Sequence, residues 1–567
     1  MTFLRIWLIV NEMPSRRNLK SLTRPTGQVV DDRIPDPWAV EKRRTTLAEK
    51  PEVLFLSNDV SMGMLSMASV LEHQDRASVS IIPINPDTAT MLLAPHERLR
   101  ESRELLTRLY NEGQLSIRMI YELSGLGESK ARTKIVCLTM RSDNITATHN
   151  TVLFTKLKCP DADVVVGGPG VTLSPLDALA DSGADYAVAG EGERPLAQLV
   201  EVLGQYQGDG RNSKEFFKAL TNIPGLYFRR GGNVIFSGTE NKPLTAFELE
   251  HLPLNYGLLS ATVHDETLIM ITSRSCPYHC LFCAGDKIFG SEFRPWSPER
   301  IMSDLRAIAP LEFKRPSYVG EFRVAKSDRF KIEHVFFGDD DFLLRRKGEE
   351  RALRFFKMFS ESELKDRFDF EVQANVHSLM KNTAPDTELI KAMMEAHVKT
   401  VYMGAESLSD SFIRRNKIPT LYTAANVRDV CCELRDNGIQ PSLNLILSDV
   451  DLKPEELREC TSNLKKLASE VHDLRICVIP QLMPFEGTPA FEDRKARGLE
   501  KQFVYHDYTL PNGVSGRRIV GEIPTHKGVA DTLEELNLAG DKHVFEGREK
   551  IIEFCEKLEN CLNRHCN

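Results

Sequence analysis

Short, unbroken apolar runs, each closed by small and polar residues, recur along this chain in two separate series. The first holds EVLFLS (52–57), SVSIIPI (78–84), KIVCLTM (134–140), DVVVGGP (163–169) and DYAVAGEGE (185–193). The second holds TLIMITS (267–273), HVFFG (334–338), DFEVQA (369–374), TVYMGAE (400–406), SLNLILS (442–448) and LRICVIPQLM (474–483). A continuous apolar run of this length suits a strand covered on both faces, so each series predicts a parallel sheet wrapped by helices. Helical patterns lie between the runs, as in DTELIKAMMEAHV, whose apolar positions recur at spacings of three and four.

At 567 residues the chain is too long for one hydrophobic core, which suits two such domains. The fold expected is α/β: a doubly wound, flavodoxin- or Rossmann-like sheet over 51–205, then a partial (β/α)6 TIM-like barrel over 263–490, then a helical C-terminal cap over 491–567. Residues 1–50 lack periodicity and read as an extension. Residues 206–262 are polar, broken by Gly and Pro, and read as a linker, with one hairpin in GLYFRRGGNVIFSG turning at Gly231-Gly232.

Ligands of parallel α/β sheets sit at the carboxyl ends of the strands. The first series keeps its glycines there, in SNDVSMGM, GGPGVTLSP and GEGE. Net charge is −8, with no long basic run, so nothing marks a nucleic-acid partner. No run approaches the ~18–20 apolar residues of a membrane span. The opening MTFLRIWLIVNEMPSRR has Arg5 inside its apolar run and its other charges after it, unlike an export signal. A cytoplasmic chain is expected, where cysteines more often bind metal or catalyse than form disulfides.

Three of the twelve cysteines fall in ITSRSCPYHCLFCAG (271–285) as Cys276, Cys280 and Cys283, spaced C-x3-C-x2-C, directly after the first strand of the second series. Three thiolates on one loop can hold three irons of a cubane cluster and leave the fourth open to a ligand. A structural zinc site wants four ligands, usually in two separated pairs, and no second C-x2-C exists here.

This loop resembles that of the radical S-adenosylmethionine (SAM) enzymes, with Phe282 as the aromatic before the last cysteine. The resemblance implies a [4Fe-4S] cluster on Cys276, Cys280 and Cys283 whose open iron chelates SAM, and one-electron cleavage of SAM to methionine and a 5′-deoxyadenosyl radical. FFGDDDF (336–342) is similar to the segment ending the second strand in one large branch of the family, which implies that Asp339 and Asp340 face the SAM ammonium. TVYMGAESLSDSFIRRNK (400–417) resembles the fourth-strand segment, which implies Glu406 on SAM. LNLILS (443–448) falls where the fifth strand meets adenine, near Asn444, without the glycines usual there. MPFEGTPAF (483–491) is similar to the loop after the sixth strand, with Phe485-Glu486 in place of Tyr-Pro.

The first half resembles the cobalamin-binding domain that precedes the radical domain in the same branch. Glycines at strand ends allow close approach of a bulky ligand. The cobalamin contacts implied are Ser57, Asn58, Gly63, Thr139, Gly167, Gly168, Pro169, Gly170 and Thr172 on one side, with Gly190, Glu191 and Gly192 on the other. No histidine stands in SNDVSMGM, which implies cobalt without a histidine below it.

Together these imply a methyltransferase that passes a methyl group from SAM through cobalamin to an unactivated carbon, or phosphorus, of a small molecule in natural-product biosynthesis, with an external one-electron reductant of flavodoxin or ferredoxin type. Two other readings stay open at this stage. One is a cyclase or rearrangement enzyme with the same cofactors, and the other is a non-catalytic cobalamin- or nucleotide-binding protein with a zinc-filled cysteine loop. Elsewhere the residues read as packing: Cys431-Cys432 in a helix core, Cys555, Cys561 and Cys566 off any shared helical face, FVYHDY (503–508) as ordinary contacts, and WSPERIMSDL as a helix start capped by Ser297.

Overall fold

The computed structural model describes residues 50–57, 62–83, 131–141, 145–261, 267–319, 322–344, 350–417, 421–509, 515–536 and 543–566. The expectations placed on residues 1–49 and on Asn58 lie outside them. The first sheet is built from β1 (Glu52–Ser57), β2 (Ser78–Pro83), β3 (Lys134–Thr139), β4 (Asp163–Gly167) and β5 (Tyr186–Val188), parallel and in the order β2-β1-β3-β4-β5. That order reverses direction between β1 and β3, the switch point at which flavodoxin-like sheets hold ligands.

Alternate residues of these strands bury on opposite faces. Leu54, Val136, Val164 and Val166 pack with Val152 of α2 (Ile145–Lys158) and Leu179 of α3 (Pro175–Ser182). Val53, Phe55, Ile135 and Val165 pack instead with Leu65 of α1 (Met62–His73) and Leu199 of α4 (Glu193–Gln205). Helices on both faces are why the runs carry no polar alternation.

The segment expected to be a linker is instead part of this domain. Its hairpin, β6 (Leu226–Arg230) and β7 (Asn233–Phe236), adds antiparallel to the free edge of β5, with Tyr186 opposite Phe228. Leu226 and Phe228 turn into the core. Beyond it Leu244, Leu249, Leu252, Tyr256 and Leu259 are buried in the same cluster as the second sheet, so the bridge between the halves is packed.

The second sheet runs β8 (Thr267–Met270), β9 (His334–Phe337), β10 (Asp369–Asn375), β11 (Val398–Glu406), β12 (Gln440–Ile446) and β13 (Arg475–Ile479), parallel and adjacent in chain order. Val335, Phe337, Phe370, Val372, Val401 and Met403 of one face are buried. The other face carries half-buried Glu371, Gln373, Asn375, Tyr402 and Asn444. Helices fill the connections, among them Pro298–Ile308, whose first-turn Arg300 N–H is accepted by Ser297.

The C-terminal region differs from the helical cap expected. It adds β14 (His543–Glu546) antiparallel to the exposed edge of β13, and it holds a hairpin of Phe503–Thr509 with Ser515–Glu522 that contains the FVYHDY stretch. Covering an open strand edge removes unpaired backbone groups from water. The closing helix Arg548–Cys566 buries Cys555 and Cys561, beside Pro454–Glu470. Among the described residues no helix is long and apolar enough to cross a membrane.

Candidate active site

The cysteine loop starts where β8 ends. Ser273 and Arg274 pair antiparallel with Pro295 and Arg294, closing the feet of the loop. Ser275 then takes a left-handed φ of 72°, which turns the chain into Cys276. The loop is pinned from two helices, Asp410–Asn416 and Pro489–Ala496: Leu281 N–H donates to the Asn416 carbonyl (3.0 Å), and Ala490 N–H donates to the Leu281 carbonyl (2.9 Å). MPFEGTPAF thus holds the cysteine loop through its backbone, which the Phe485-Glu486 departure leaves intact.

None of the three cysteines is in a disulfide; Cys283 is exposed and the other two are half-buried. Burial pushes the Cys276 thiol up to about 12. The Gly285 N–H donates to Cys283 Sγ at 3.3 Å, as a backbone amide would to a thiolate. Among the described residues no three cysteine, histidine or carboxylate side chains converge where a single ion would sit. A cubane asks something else of its loop, one thiolate for each iron it holds, and this loop carries three cysteines within eight residues. Phe282 is half-buried against the core.

The three aspartates after β9 have separate fates. Asp339 is fully buried with both oxygens engaged: it accepts from Thr272 N–H (2.9 Å), from the Thr272 hydroxyl (3.1 Å) and from Ser273. Arg351, fully buried beside it, donates to Thr272, to the Trp296 carbonyl (2.9 Å) and to the Phe342 carbonyl (3.1 Å). Asp339 therefore ties β9 to the strand that leads into the cysteines. Asp340 opens into a cavity, and an added Cβ on Gly285 would lie 3.9 Å from its Oδ2 and 3.4 Å from Cys283 Sγ. Burial pushes the Asp340 carboxyl above its usual range. Asp341 is buried, accepts from Ser378 (2.6 Å), and is pushed up to about 7 by burial.

Glu406 is a non-glycine residue at φ 58°, beside an irregularity in the β11–β12 register. Such strain persists where the surroundings over-determine it, often at functional sites. Its Oε1 is 3.0 Å from Nζ of Lys417, which also donates to the Gly404 carbonyl (3.1 Å). Tyr422 donates to the same carbonyl (3.1 Å). Burial lowers the Lys417 pKa, but Glu406, Tyr422 and the nearby Cys280 raise it further, so its charge is held beside the loop. Lys417 and Tyr422 were not picked out from the sequence. Asn444 is half-buried opposite Gly404.

A cavity of about 430 Å³ lies between the carboxyl ends of the first sheet and the cysteine loop. Thr139, Gly167, Gly168, Pro169, Thr172, Gly190, Glu191 and Gly192 line it from the first half; Gly338, Asp340, Ser273 and Arg274 line it from the second. The glycines are needed as glycines. Gly168 has φ 101°, and an added Cβ would lie 2.9 Å from Thr139 Cγ2. An added Cβ on Gly170 would lie 3.0 Å from the Met140 carbonyl. Thr172 joins the two glycine loops, donating to the Gly168 carbonyl (3.0 Å) and accepting from Gly190 N–H (2.9 Å). Gly170 packs beneath the cradle, while Gly63 and Ser57 sit at the α1 start and the β1 end.

Glu191 lines the cavity, and its side chain is held in a buried network. Its carboxylate is taken up by Arg294 (2.8 Å), by the Leu244 N–H (2.6 Å) and by Arg274 (3.4 Å). Its neighbour Glu193, which sequence reasoning missed, accepts from Arg274 (2.5 Å) and Ser66 (2.6 Å).

Residues 270–459 match the radical SAM superfamily. The chain is 25% identical over 354 residues to an uncharacterized methyltransferase of Pyrococcus horikoshii, covering 61% of this chain and 66% of that one, slightly under two thirds of its length. It is 21% identical over 457 residues to the hopanoid C-3 methylase of Methylococcus capsulatus, covering 76% of each. The solved structure of the radical SAM methyltransferase TsrM from Kitasatospora setae, with cobalamin and a [4Fe-4S] cluster bound, superposes with a TM-score of 0.57 at 12% identity, covering 84% of this chain and 83% of that one. Residues 270–459 are thus a radical SAM domain, which implies the cluster and SAM, and the chain shares the fold of the solved cobalamin-bound methyltransferase.

Proposed function

We propose that this enzyme is a cobalamin-dependent radical SAM methyltransferase that places a methyl group from SAM on an unactivated carbon, or on phosphorus, of a small molecule of natural-product type. The observation that carries the reading is the shared cavity, with the glycine cradle on one wall and Asp340 on the other. A bulky ligand on the cradle and a ligand on the cysteine loop would meet there. The cradle suits cobalamin: its backbone comes close where side chains would block it, and exposed strand-end amides suit phosphate and amide groups. The names of the relatives, methyltransferase and C-3 methylase, support methylation of carbon.

When bound, the cluster supplies the electron that splits SAM, and cobalamin supplies a methyl carrier. In this reading Cys276, Cys280 and Cys283 hold the cluster. Asp340 receives the SAM ammonium, a charge-assisted pairing. Glu406, oriented by Lys417 and by its left-handed backbone, takes a second polar group of SAM, and Asn444 lies toward the adenine. Asp339 only positions the strand. The electron comes from an external flavodoxin- or ferredoxin-type reductant.

The test is anaerobic reconstitution of the full chain, followed by assay for iron, sulfide, bound cobalamin and SAM products. Formation of 5′-deoxyadenosine together with S-adenosylhomocysteine is the expected result. 5′-Deoxyadenosine without S-adenosylhomocysteine, with substrate converted, would move the reading to cyclisation or rearrangement. Absence of both products with every reductant would sink it.

A further inference from the structure

The Gly190-Glu191-Gly192-Glu193 segment has two sides. Its backbone lines the cavity, and its two carboxylates bond to the two arginines at the feet of the cysteine loop. Arg274 and Arg294 are register partners in the short ladder that closes that loop, and Arg274 stands two residues before Cys276. Arg294 grips Glu191 with both nitrogens, at 2.8 and 3.2 Å, and also donates to the Phe289 carbonyl inside the loop (2.7 Å). Arg274 bonds Glu193 at 2.5 Å and lies 3.4 Å from Glu191, while Ser66 of α1 donates to the same Glu193 oxygen. The side chains of Glu191, Glu193 and Arg294 are each 3% exposed or less.

Burial alone would raise the Glu193 pKa, but the Arg274 charge and the bonds from Arg274 and Ser66 hold it below the usual carboxylate range. Ion pairs this deep are poor sources of net stability but costly to break singly, because the remaining charge has no water to turn to. Such contacts couple groups rigidly. The glycine loop cannot shift without dragging Glu191 and Glu193, and these carry the loop's feet with them.

We propose that this clasp makes filling of the glycine cradle and ordering of the cysteine loop a single event, with Arg274 and Glu193 as the positioning residues that join them. The proposal rests on the reading that cobalamin fills the cradle and SAM the loop. Binding coupled in this way is reciprocal: whatever factor cobalamin adds to SAM affinity, SAM adds to cobalamin affinity.

The measurement is SAM affinity of the reconstituted full chain, by anaerobic calorimetry, with and without hydroxocobalamin, and the converse titration of hydroxocobalamin with and without SAM. The wild type is expected to bind SAM at least about fivefold tighter when hydroxocobalamin is present, with the same factor in the converse titration. In Glu193→Gln and in Arg274→Met the factor falls toward one, whatever happens to the separate affinities. A merely structural role would lower melting temperature and leave the factor alone. Should Arg274→Met fail to fold, Glu193→Gln, which keeps the shape and a bond to Ser66, decides. A wild-type factor of one, or a variant that keeps the wild-type factor, overturns the clasp while leaving the proposed function standing. A chain that binds no hydroxocobalamin defeats the proposed function itself.

Discussion

Both sheets place their functional loops at the carboxyl ends of parallel strands, but they build with different materials. The first makes its wall from backbone: Gly167, Gly168, Gly190 and Gly192 line the cavity, and Thr172 uses its hydroxyl to tie the loops together. The second works with side chains: three thiols, the Asp340 carboxyl, and the Glu406–Lys417 pair. A backbone wall can follow the outline of a large, rigid, neutral ligand without placing charges against it. A side-chain wall can hold metal and point charges, but it must be clamped, and here Asp339, Asn416 and Ala490 supply the clamps. Shape is met by what is left out, and charge by what is put in.

The sharpest way to break that contrast is to remove a thiol. Cys276→Ser is expected to bring iron and sulfide to background and to abolish 5′-deoxyadenosine formation, while hydroxocobalamin still binds, followed by its visible spectrum, weakened by no more than the coupling factor. Loss of both ligands together would mean that the two walls are not separate devices. The mirror experiment is Gly168→Val. At φ 101°, with the new Cβ 2.9 Å from Thr139 Cγ2, the backbone strain of about 1–3 kcal/mol predicts roughly 10- to 100-fold weaker hydroxocobalamin binding with iron content unchanged. Gly192→Ala sharpens the point. Its Cβ would run into the Met67 sulfur, part of a flexible side chain that can move aside, so a smaller loss is expected.

Within the second wall, Asp339 and Asp340 are adjacent yet predicted to fail differently. Asp339→Ala leaves Arg351 buried without its neighbouring charge and is expected to cost about 3–5 kcal/mol of stability, read as a lowered melting temperature. Asp340→Asn is expected to leave melting nearly unchanged and to weaken SAM binding roughly 10- to 100-fold, the scale of one hydrogen bond to a charged group. The reverse assignment would result if Asp339→Ala spared stability but not SAM.

That pair also marks where the sequence stops being informative. DDD announces carboxylates at a strand end, but which one turns inward depends on where Thr272 and Ser273 lie, over sixty residues earlier. The cysteine spacing and the glycine-rich strand ends were legible because each is local. Lys417 was not, because its approach to Glu406 depends on the intervening helix Asp410–Asn416 and on the bend at Glu406. Arg274 and Arg294 were invisible for the same reason, their carboxylate partners lying some eighty to a hundred residues away. The parallel strands were legible almost to the residue. The 226–236 hairpin was recognisable as a hairpin, but not as the edge of the first sheet, since edge pairing leaves no pattern beyond the hairpin itself. In the C-terminal region Phe503 and Tyr505 do alternate as a strand would, a signal that the polar surroundings masked.

The smallest expected effect tests what the side-chain wall costs the fold. Asp341 is buried behind the cysteine loop, with Ser378 donating to one oxygen and no hydrogen-bond partner for the other among the described residues. Burial moves its carboxyl from 3.8 to about 7. The native chain therefore keeps a proton there that the unfolded chain releases, from about pH 4 up to about pH 7. Native binding of the extra proton means that stability falls as pH rises through this window and levels off above it. Asp341→Asn, neutral at every pH, removes that slope. Chemical denaturation of the metal-free protein at pH 5 and pH 7.5 is expected to show the wild type losing on the order of 2–3 kcal/mol relative to the variant between the two, bounded by about 1.4 kcal/mol per pH unit. Parallel curves would mean that Asp341 is solvated or paired in solution. The side-chain wall would then carry its carboxylates at no cost to the fold, and the contrast with the glycine wall would be one of geometry alone.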